Sequence, residues 1–510
     1  MAEQQELRKL ARGGVGGLLA AVVSGLGGLA FIMVGTRFYS KSDAGAVFVI
    51  TSIFLIVLAV ATLGADTGIT RFVAVRTADR PEEIGTTVAV ILAPVALVST
   101  TLAVIGWFSL PSLLDGTRYA DTIGASRLLA VFLPAAAASI LTLAATRGLG
   151  TVRPTVFIEG LMRQGLQPVL ALLAAWRGLD LFWLTAAWVV PYALAGVAGW
   201  FWYARLCRAR GVPAWSSPFA AEARSVAREV WLFNAPRSLT QIAQMAVRRA
   251  DVPLVGILAG KEAASVYTAA SRFVAAGLQG IRGIQQMVGP QIARLVSSGD
   301  VAQAGLTLRT ATTWNVLIAW PIYLTCAALP GAIMSLFGYQ QGRQVVVILA
   351  LAMLIGTAAG PVDIALLMVG RSVLSLVNNT AALATNLLLN LILIPLWGIT
   401  GAAVAWAAAI VVSNALPTWQ IRRILGPPSD RATALAAAAA VATFGLIPLL
   451  VKMIGGDSLG PAIGSVIVAG AAYALIVWRL RRPLRVQELL NTVKRRRKRA
   501  GGAPAAESGS

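Results

Sequence analysis

The chain has 510 residues, of which 57% are hydrophobic and only 13% are charged. Soluble domains carry about 25% charged residues, so this composition excludes a soluble globular protein. The formal net charge is +22, and the chain contains no histidine, which removes the commonest general base and the commonest metal ligand. The two cysteines, Cys207 and Cys326, lie too far apart in the sequence for a CxxC metal site or a disulfide framework.

Apolar runs of about 20 residues, the length that crosses a bilayer as a helix, recur along the whole chain. The strands of transmembrane barrels are shorter and alternate apolar with polar residues, so a barrel is excluded. The runs predict an all-α polytopic membrane protein with about fourteen transmembrane helices. In chain order these are residues 13–35, 44–64, 86–110, 128–146, 154–175, 181–204, 232–258, 264–290, 311–330, 344–369, 372–395, 399–421, 432–453 and 460–478.

The basic residues predict the orientation of these helices. With the N-terminus in the cytoplasm, the segments on the cytoplasmic side hold most of the Lys and Arg residues, as the positive-inside rule requires. Both termini are then cytoplasmic, and we expect a multi-pass protein of a bacterial cytoplasmic membrane. The basic run Lys494–Arg499 lies in a tail that is predicted to be disordered and to bind anionic lipids rather than nucleic acid.

A weak internal repeat divides the chain into two halves. Ala44–Phe48 resembles Ala263–Tyr267, and each segment begins a predicted helix. We therefore expect two pseudo-symmetric six-helix lobes around a central cavity, related by an axis along the membrane normal. The predicted segments are an N-terminus 1–12, an N-lobe 13–204, an inter-lobe loop 205–230, a C-lobe 231–421, two C-terminal helices 432–478 and a basic tail 479–510.

Charged residues inside the predicted helices are the main candidates for function, because each costs about 2.5–3.5 kcal/mol at the centre of a helix on insertion scales. Together with several glutamines they follow helical periodicity on three helices, and we expect them to line one hydrated, cationic cavity. Arg binds phosphate through a planar fork that stays charged when buried. The expected substrate-binding residues are Arg163, Arg237, Gln241, Gln244, Arg248, Arg249, Arg272, Gln279, Arg282 and Gln286. The candidates for proton or ion coupling are Glu159, Asp251 and Asp363.

Structural roles remain the alternative for these side chains. Glu159 and Arg163 are four residues apart and can neutralise each other on one helix face, and Arg248 or Arg249 can pair with Asp251. The glutamines can bind sugar hydroxyls or join neighbouring helices by hydrogen bonds. Three asparagines share a face, Asn379, Asn386 and Asn390. We expect them to form hydrogen bonds between helices, with substrate contact as the second alternative.

Signatures of catalysis are missing from the sequence. It contains no Walker A motif and no HExxH, and the predicted external loops are too short for a catalytic domain. We therefore expect no catalytic residues, no metal and no cofactor, and a secondary-type transporter rather than an enzyme.

Several short motifs carry a resemblance to a known family. They are Arg37-Phe38-Tyr39 with Asp43-Ala44-Gly45, Gly64–Gly68 with Arg71–Ala74, Asn234-Ala235-Pro236, Arg249-Ala250-Asp251, Val266–Ala270, and Asn390–Pro395 with Gly398–Ala403. Over residues 8–480 the chain thereby resembles the bacterial polysaccharide transporters, the O-antigen flippase-like branch of the multidrug/oligosaccharidyl-lipid/polysaccharide exporter (MOP) superfamily. The resemblance implies fourteen helices in two lobes about a cavity and the translocation of an undecaprenyl-pyrophosphate-linked oligosaccharide.

The expected function is therefore a flippase or exporter that moves a lipid-linked oligosaccharide, or a similar anionic glycolipid, by alternating access. The expected partners are the lipid-linked glycan, anionic membrane lipids at the basic tail, and a polysaccharide polymerase or glycosyltransferase. A lipid II-type flippase and a cation-coupled multidrug antiporter of the same superfamily remain alternatives. Rivals from other classes are a membrane-embedded lipid-processing enzyme and a scaffold that recruits partners through its tail.

Overall fold

The computed structural model describes residues 25–219, 223–277, 279–455 and 458–484. At residues 236, 237, 239, 240, 243, 247, 276, 279–287 and 455 it describes the backbone alone. The predicted N-terminus 1–12 and all but the beginning of the basic tail lie outside the described residues. Within those residues the chain is helical and has no strand. The predicted fold class, an all-α polytopic membrane protein, is confirmed.

Packing divides the chain into two compact units, Met1–Gly256 and Ile257–Ser510. The first unit thus includes the helix that follows the 205–230 loop, because this helix packs on three earlier helices of the same unit. The predicted division into two six-helix lobes describes the symmetry of the helix order. The two packing units do not test it, so it stays a prediction.

The first unit is a bundle of long helices. Its elements are α1 (Gly25–Phe38), α2 (Lys41–Ala61), α3 (Ala65–Asp79), α4 (Ile84–Leu114), α5 (Ile123–Gly148), a π-helix (Thr155–Arg163), α6 (Gln164–Trp176), α7 (Leu181–Ala209), α8 (Ala223–Arg249) and the beginning of α9 (Asp251–Leu258).

Small residues allow α5 and α7 to approach closely. A side chain on Gly196 would lie 3.1 Å from the carbonyl oxygen of Ala135, and one on Gly199 would lie 2.6 Å from Thr142 Oγ1. Small residues at such contacts are typical of helices in membranes, where van der Waals packing replaces the hydrophobic effect. This pair forms the centre of the first unit.

The second unit is also a bundle, but several of its helices are broken. Its elements are α10 (Lys261–Ala276), α11 (Gln279–Ser297), α12 (Val301–Ala328), α13 (Pro330–Leu336), α14 (Arg343–Ala358), α15 (Val362–Met368), α16 (Ser372–Leu425), α17 (Arg431–Ala440), a second π-helix (Val441–Gly445), α18 (Leu446–Gly455) and α19 (Leu459–Arg479).

Proline and glycine account for these breaks. α12 and α13 meet at 87° where Pro330 begins the second helix, since proline cannot donate the backbone hydrogen bond that would continue the first. α14 ends before Gly360-Pro361, and Gly360 has a φ of 74°. α16 contains two predicted helices that are joined at Gly398, whose φ of 56° lies outside the helical region.

Every predicted span overlaps helix in the described residues. By length and hydropathy, eight of these helices are suited to cross a membrane on their own, or nine if the bent α12–α13 pair counts as one span. The predicted spans at 154–175, 232–258 and 264–290 are divided into shorter or more polar helices. These three spans are the ones that carry the predicted polar stripes.

Candidate functional site

The predicted stripe on residues 154–175 forms an ion pair. Arg163 donates from Nη2 to the carboxylate of Glu159, four residues earlier. The Arg163 side chain is 7% exposed, whereas that of Glu159 is 34% exposed. Nε of Arg163 is buried and has no hydrogen-bond partner among the described residues. The pair therefore uses only part of the donor fork of this arginine.

Aromatic residues surround the buried side of this pair. Cζ of Arg163 lies 4.4 Å from the ring centroid of Tyr192, a cation–π contact. Tyr192 packs on Trp188 and Phe54 with ring-centroid distances of 5.3 and 6.2 Å. Gln167, one turn after Arg163, donates to the carbonyl oxygen of Trp188 at 2.7 Å. Glu159 and Tyr192 thus both contact the arginine, and Gln167 links α6 to α7.

Arg147, at the end of α5, joins this site but was not predicted. It interacts electrostatically with both Glu159 and Asp66, and its Nη1 donates to Thr155 Oγ1 at 3.4 Å. The sequence did not indicate a role for Arg147 in the site, because an arginine at the end of a span is expected to serve as a topology signal. Glu159 therefore interacts with two arginines, Arg147 and Arg163.

The predicted stripe on the seventh span does not keep to one environment. Gln241 donates to Asp66 Oδ1 at 2.8 Å and to Thr67 Oγ1 at 3.0 Å, whereas Gln244 and Arg248 are exposed. The side chain of Arg237 lies outside the described residues. Asp66 was not predicted as a site residue, because it falls in a connection between spans.

A break in the helix separates the last residues of this predicted stripe. α8 ends at Arg249 and α9 begins at Asp251, so the spacing that aligned Arg248 with Asp251 does not persist. Asp251 is buried, and its carboxylate accepts from the backbone N–H of Val252 at 2.9 Å. Arg249 is half-buried and interacts electrostatically with Tyr192. In the first unit Arg147, Arg163 and Arg249 thus all lie close to Glu159 or Tyr192.

The second unit contains the remaining predicted residues. Arg272 on α10 is half-buried, and its Nη2 is buried with no hydrogen-bond partner among the described residues. The side chains of Gln279, Arg282 and Gln286 lie outside the described residues. Asp363 begins the turn after Pro361 and accepts a hydrogen bond of 2.6 Å from Ser375 Oγ.

The hydrogen bonds of the α16 asparagines differ from those predicted. Asn390 donates to Asn386 at 3.1 Å and Asn379 donates to the carbonyl oxygen of Ser375 at 2.9 Å, so these hydrogen bonds lie within one helix rather than between helices. The neighbouring Asn378 instead forms a reciprocal pair with Gln420, at 2.7 and 3.0 Å, across the break at Gly398. The prediction of bonds between helices was therefore wrong for Asn379 and for the Asn386–Asn390 pair.

An acidic cavity of about 460 Å³ lies elsewhere in the first unit. Three carboxylates line it, those of Asp43, Asp121 and Asp180. Burial and the Asp180 charge raise the pKa of the nearby Tyr39 hydroxyl above its usual value. In the part of the chain that the structure describes, no group of three or more His, Cys, Asp or Glu side chains is arranged to hold a metal ion.

No family model and no curated protein sequence matches this chain. Solved structures do match its fold. The lipid II flippase MurJ in an inward closed conformation aligns with a TM-score of 0.69 and 11% identity, over 92% of this chain and 98% of that one. An inward-facing multidrug resistance MATE family transporter of the MOP superfamily aligns with a TM-score of 0.65 and 16% identity, over 79% and 94%.

A third match is a MOP superfamily transporter from Pyrococcus furiosus Vc1 that is described as having a binding pocket of reversed polarity. It aligns with a TM-score of 0.58 and 16% identity, over 83% of this chain and 98% of that one. At these identities the matches report on the fold. The chain is a multi-pass membrane protein with the fold of the MOP superfamily transporters.

Proposed function

We propose that this protein is a flippase or exporter that moves an anionic lipid-linked oligosaccharide, of the undecaprenyl-pyrophosphate type, across the cytoplasmic membrane by alternating access. The main support is the excess of arginine within the predicted membrane spans. Among the described residues Arg163 has an acid partner at ion-pair distance, whereas Arg248 and Arg272 have none. Unpaired charge at such depth is costly unless water or an anion reaches it.

The chemistry of these arginines favours phosphate over other anions. Each guanidinium can form two parallel hydrogen bonds to phosphate oxygens, and it keeps its charge when it is buried. A diphosphate on a lipid carrier would match several such groups, while the apolar chain of the carrier stays in the bilayer. The same residues would repel a cationic drug, which argues against a multidrug antiporter.

Two other substrates remain candidates for specific reasons. Lipid II is favoured by the fold likeness to MurJ, which extends over nearly the whole of both chains. A cationic compound is favoured by the acidic cavity at Asp43, Asp121 and Asp180. We place the oligosaccharide first because the arginines lie within predicted spans, whereas Asp43, Asp121 and Asp180 fall in the connections between them.

The remaining parts of the proposal concern topology and partners. We place both termini in the cytoplasm of a bacterial cell, with the basic tail on anionic lipids and with a polymerase or glycosyltransferase as the enzyme that uses or supplies the cargo. Deletion of residues 485–510 separates transport from scaffolding. A transporter should keep most of its activity, whereas a scaffold that recruits partners through the tail should lose its function.

The decisive test is transport by the purified protein in vesicles. Vesicles that contain an undecaprenyl-pyrophosphate-linked oligosaccharide, lipid II or a cationic dye should be compared for movement to the opposite side. We expect movement of the oligosaccharide carrier, and at least a tenfold slower rate for Arg248→Gln and Arg272→Gln. Arg80→Gln, which changes an exposed arginine outside the spans, is the control. Full activity in both span variants, or transport of the dye alone, would contradict the proposal.

A further inference from the structure

The ion pair at Glu159 and Arg163 has features that a purely structural pair does not need. Arg163 is buried against Tyr192, whereas the side chain of Glu159 is one-third exposed. The two members of the pair are therefore unequal, because the cation is buried and the side chain of the anion is partly exposed. A partly exposed anion on a buried cation can be replaced by another anion of similar geometry.

The donor fork of Arg163 is incompletely used in this pair. Nη2 donates to Glu159, but Nε is buried and has no partner among the described residues. A buried donor without a partner is unfavourable, and a phosphate could satisfy both nitrogens at once through the parallel hydrogen bonds that suit a guanidinium. An anion that brings two oxygens to this fork, such as a phosphate, would use the donor that Glu159 leaves unpaired among the described residues.

A second arginine, Arg147, interacts electrostatically with the same carboxylate, that of Glu159. Its hydrogen bond to Thr155 places it at the first residue of the π-helix that carries the pair. One carboxylate therefore neutralises parts of two guanidinium groups. A diphosphate carries more negative charge than a carboxylate and would neutralise both more fully.

The backbone of this segment is also unusual. Glu159 and Arg163 both lie on the nine-residue π-helix Thr155–Arg163, a conformation that is rare and occurs mainly as short stretches at functional sites. Glu159 therefore lies on a segment whose backbone differs from that of the α-helices on either side of it.

We propose that Glu159 is an internal counter-ion that neutralises Arg147 and Arg163 until a phosphate group of the cargo replaces it. The inference rests on the proposed function in one respect, that the cargo carries phosphate. Glu159 then competes with the cargo for the same donors. Its return to Arg163 would favour release of the cargo on the other side of the membrane, so binding and release would use one exchange of anions.

Binding of inorganic pyrophosphate to the full-length protein in detergent tests this exchange directly. Glu159→Gln removes the competing charge, and we expect its affinity for pyrophosphate to be at least tenfold higher than that of the unchanged protein. Adding Arg163→Gln to this variant should abolish the gain. Asp79→Asn, which neutralises an exposed carboxylate outside the site, is the matched control and should change the affinity less than twofold.

Three results would overturn the proposal. One is an affinity for Glu159→Gln no higher than for Asp79→Asn, and another is a gain that survives the loss of Arg163. The third is a loss of thermal stability in Glu159→Gln without any gain in affinity, as expected of a structural pair. If Glu159→Gln does not fold, the same binding measurement is made with Glu159→Asp. Its shorter side chain should hold the arginines less well and raise the affinity for pyrophosphate about threefold.

The proposed function is tested separately by transport in vesicles. If Glu159→Gln binds pyrophosphate more tightly but the unchanged protein moves no lipid-linked oligosaccharide, the anion exchange stands and the proposed cargo is wrong. If the oligosaccharide is moved but Glu159→Gln gains no affinity, the cargo stands and the counter-ion role is wrong. A variant with tighter binding should also transport the oligosaccharide more slowly than the unchanged protein, because release is impaired.

Discussion

The side chain of Asn234 lies directly over the Cα atom of Gly68, where any larger residue would overlap it. This contact lies in a row of contacts between α3 and α8. Gln241 binds Asp66 before it, and Arg76 binds Glu229 after it. The residue numbers of the contacting side chains decrease along α8 as they increase along α3, so the two helices run antiparallel. α8 is joined to the first unit through this row.

We expect Gly68→Ala to destabilise the protein by about 1–3 kcal/mol, the usual cost of inserting atoms into a packed interior. Asn234 is fully buried and cannot move aside into solvent. Thermal unfolding of the purified protein in detergent measures the effect. Gly165→Ala is the control, because nothing lies within 4 Å of that glycine, and a helical alanine there should stabilise by roughly 0.5–1 kcal/mol. Equal melting temperatures for the two variants would contradict the contact.

We expect Arg76 to contribute far more to the stability of the protein than the nearby Arg80. Arg76 is 5% exposed and donates to Glu83 at 2.9 Å and to Glu229 at 2.8 Å, whereas the side chain of Arg80 is 66% exposed. Arg76→Ala should cost about 1.5–3 kcal/mol of stability, the range for hydrogen bonds to charged groups. Arg80→Ala should cost less than about 1 kcal/mol. The prediction fails if chemical denaturation gives similar losses for both variants.

We expect substitutions of the two glutamines of α8 to have different effects, one on stability and the other on transport. Gln241→Ala removes the donor to Asp66 and Thr67, and it should lower stability by about 1–2 kcal/mol because a partly buried carboxylate loses its partner. Gln244 is exposed and forms no such bond to the residues that the structure describes, so Gln244→Ala should melt like the unchanged protein. A defect of Gln244→Ala in vesicle transport at full stability would identify it as a contact of the cargo. Loss of stability in Gln244→Ala alone would reverse the assignment.

Two glycines with left-handed backbones provide a test of the break before α15. Gly360 and Gly370 have φ values of 74° and 84°, so alanine at either position should cost about 1–2 kcal/mol in backbone strain. A side chain at Gly360 would also overlap Thr312, whereas nothing lies within 4 Å of Gly370. We therefore expect Gly360→Ala to unfold at a clearly lower temperature than Gly370→Ala. Equal unfolding temperatures would show that α12 does not pack against this break.

Some features of the candidate site follow from local spacing alone. Glu159 and Arg163 share a helix face by their separation of four residues, and the ion pair that the sequence left as an alternative is present. Gly360-Pro361 predicts a break for reasons of backbone chemistry, and the helix is broken there. Both depend on residues close together in the chain, where geometry is fixed by the helix itself.

Other features depend on which helices are neighbours. Gln241 and Gln244 were placed on one face, yet the first binds α3 and the second is exposed. Arg147 and Asp66 lie at the ends of helices, outside the predicted stripes, and only the packing of α3, α5 and the π-helix brings Arg147 into interaction with both Asp66 and Glu159. Periodicity gives the direction of a side chain relative to its own helix, but not the element that it meets.

The sequence by itself therefore determined the class of the fold, because long apolar runs with few charges have no stable form in lipid other than helices whose backbone hydrogen bonds are satisfied internally. It also placed an excess of arginine inside the predicted spans. The tertiary structure alone decided which further groups these charges meet, since partners such as Asp66 and Tyr192 are set by contacts between helices that are distant in the chain. The interaction of Arg147 with the partly exposed Glu159, which already pairs with Arg163, is a property of that packing.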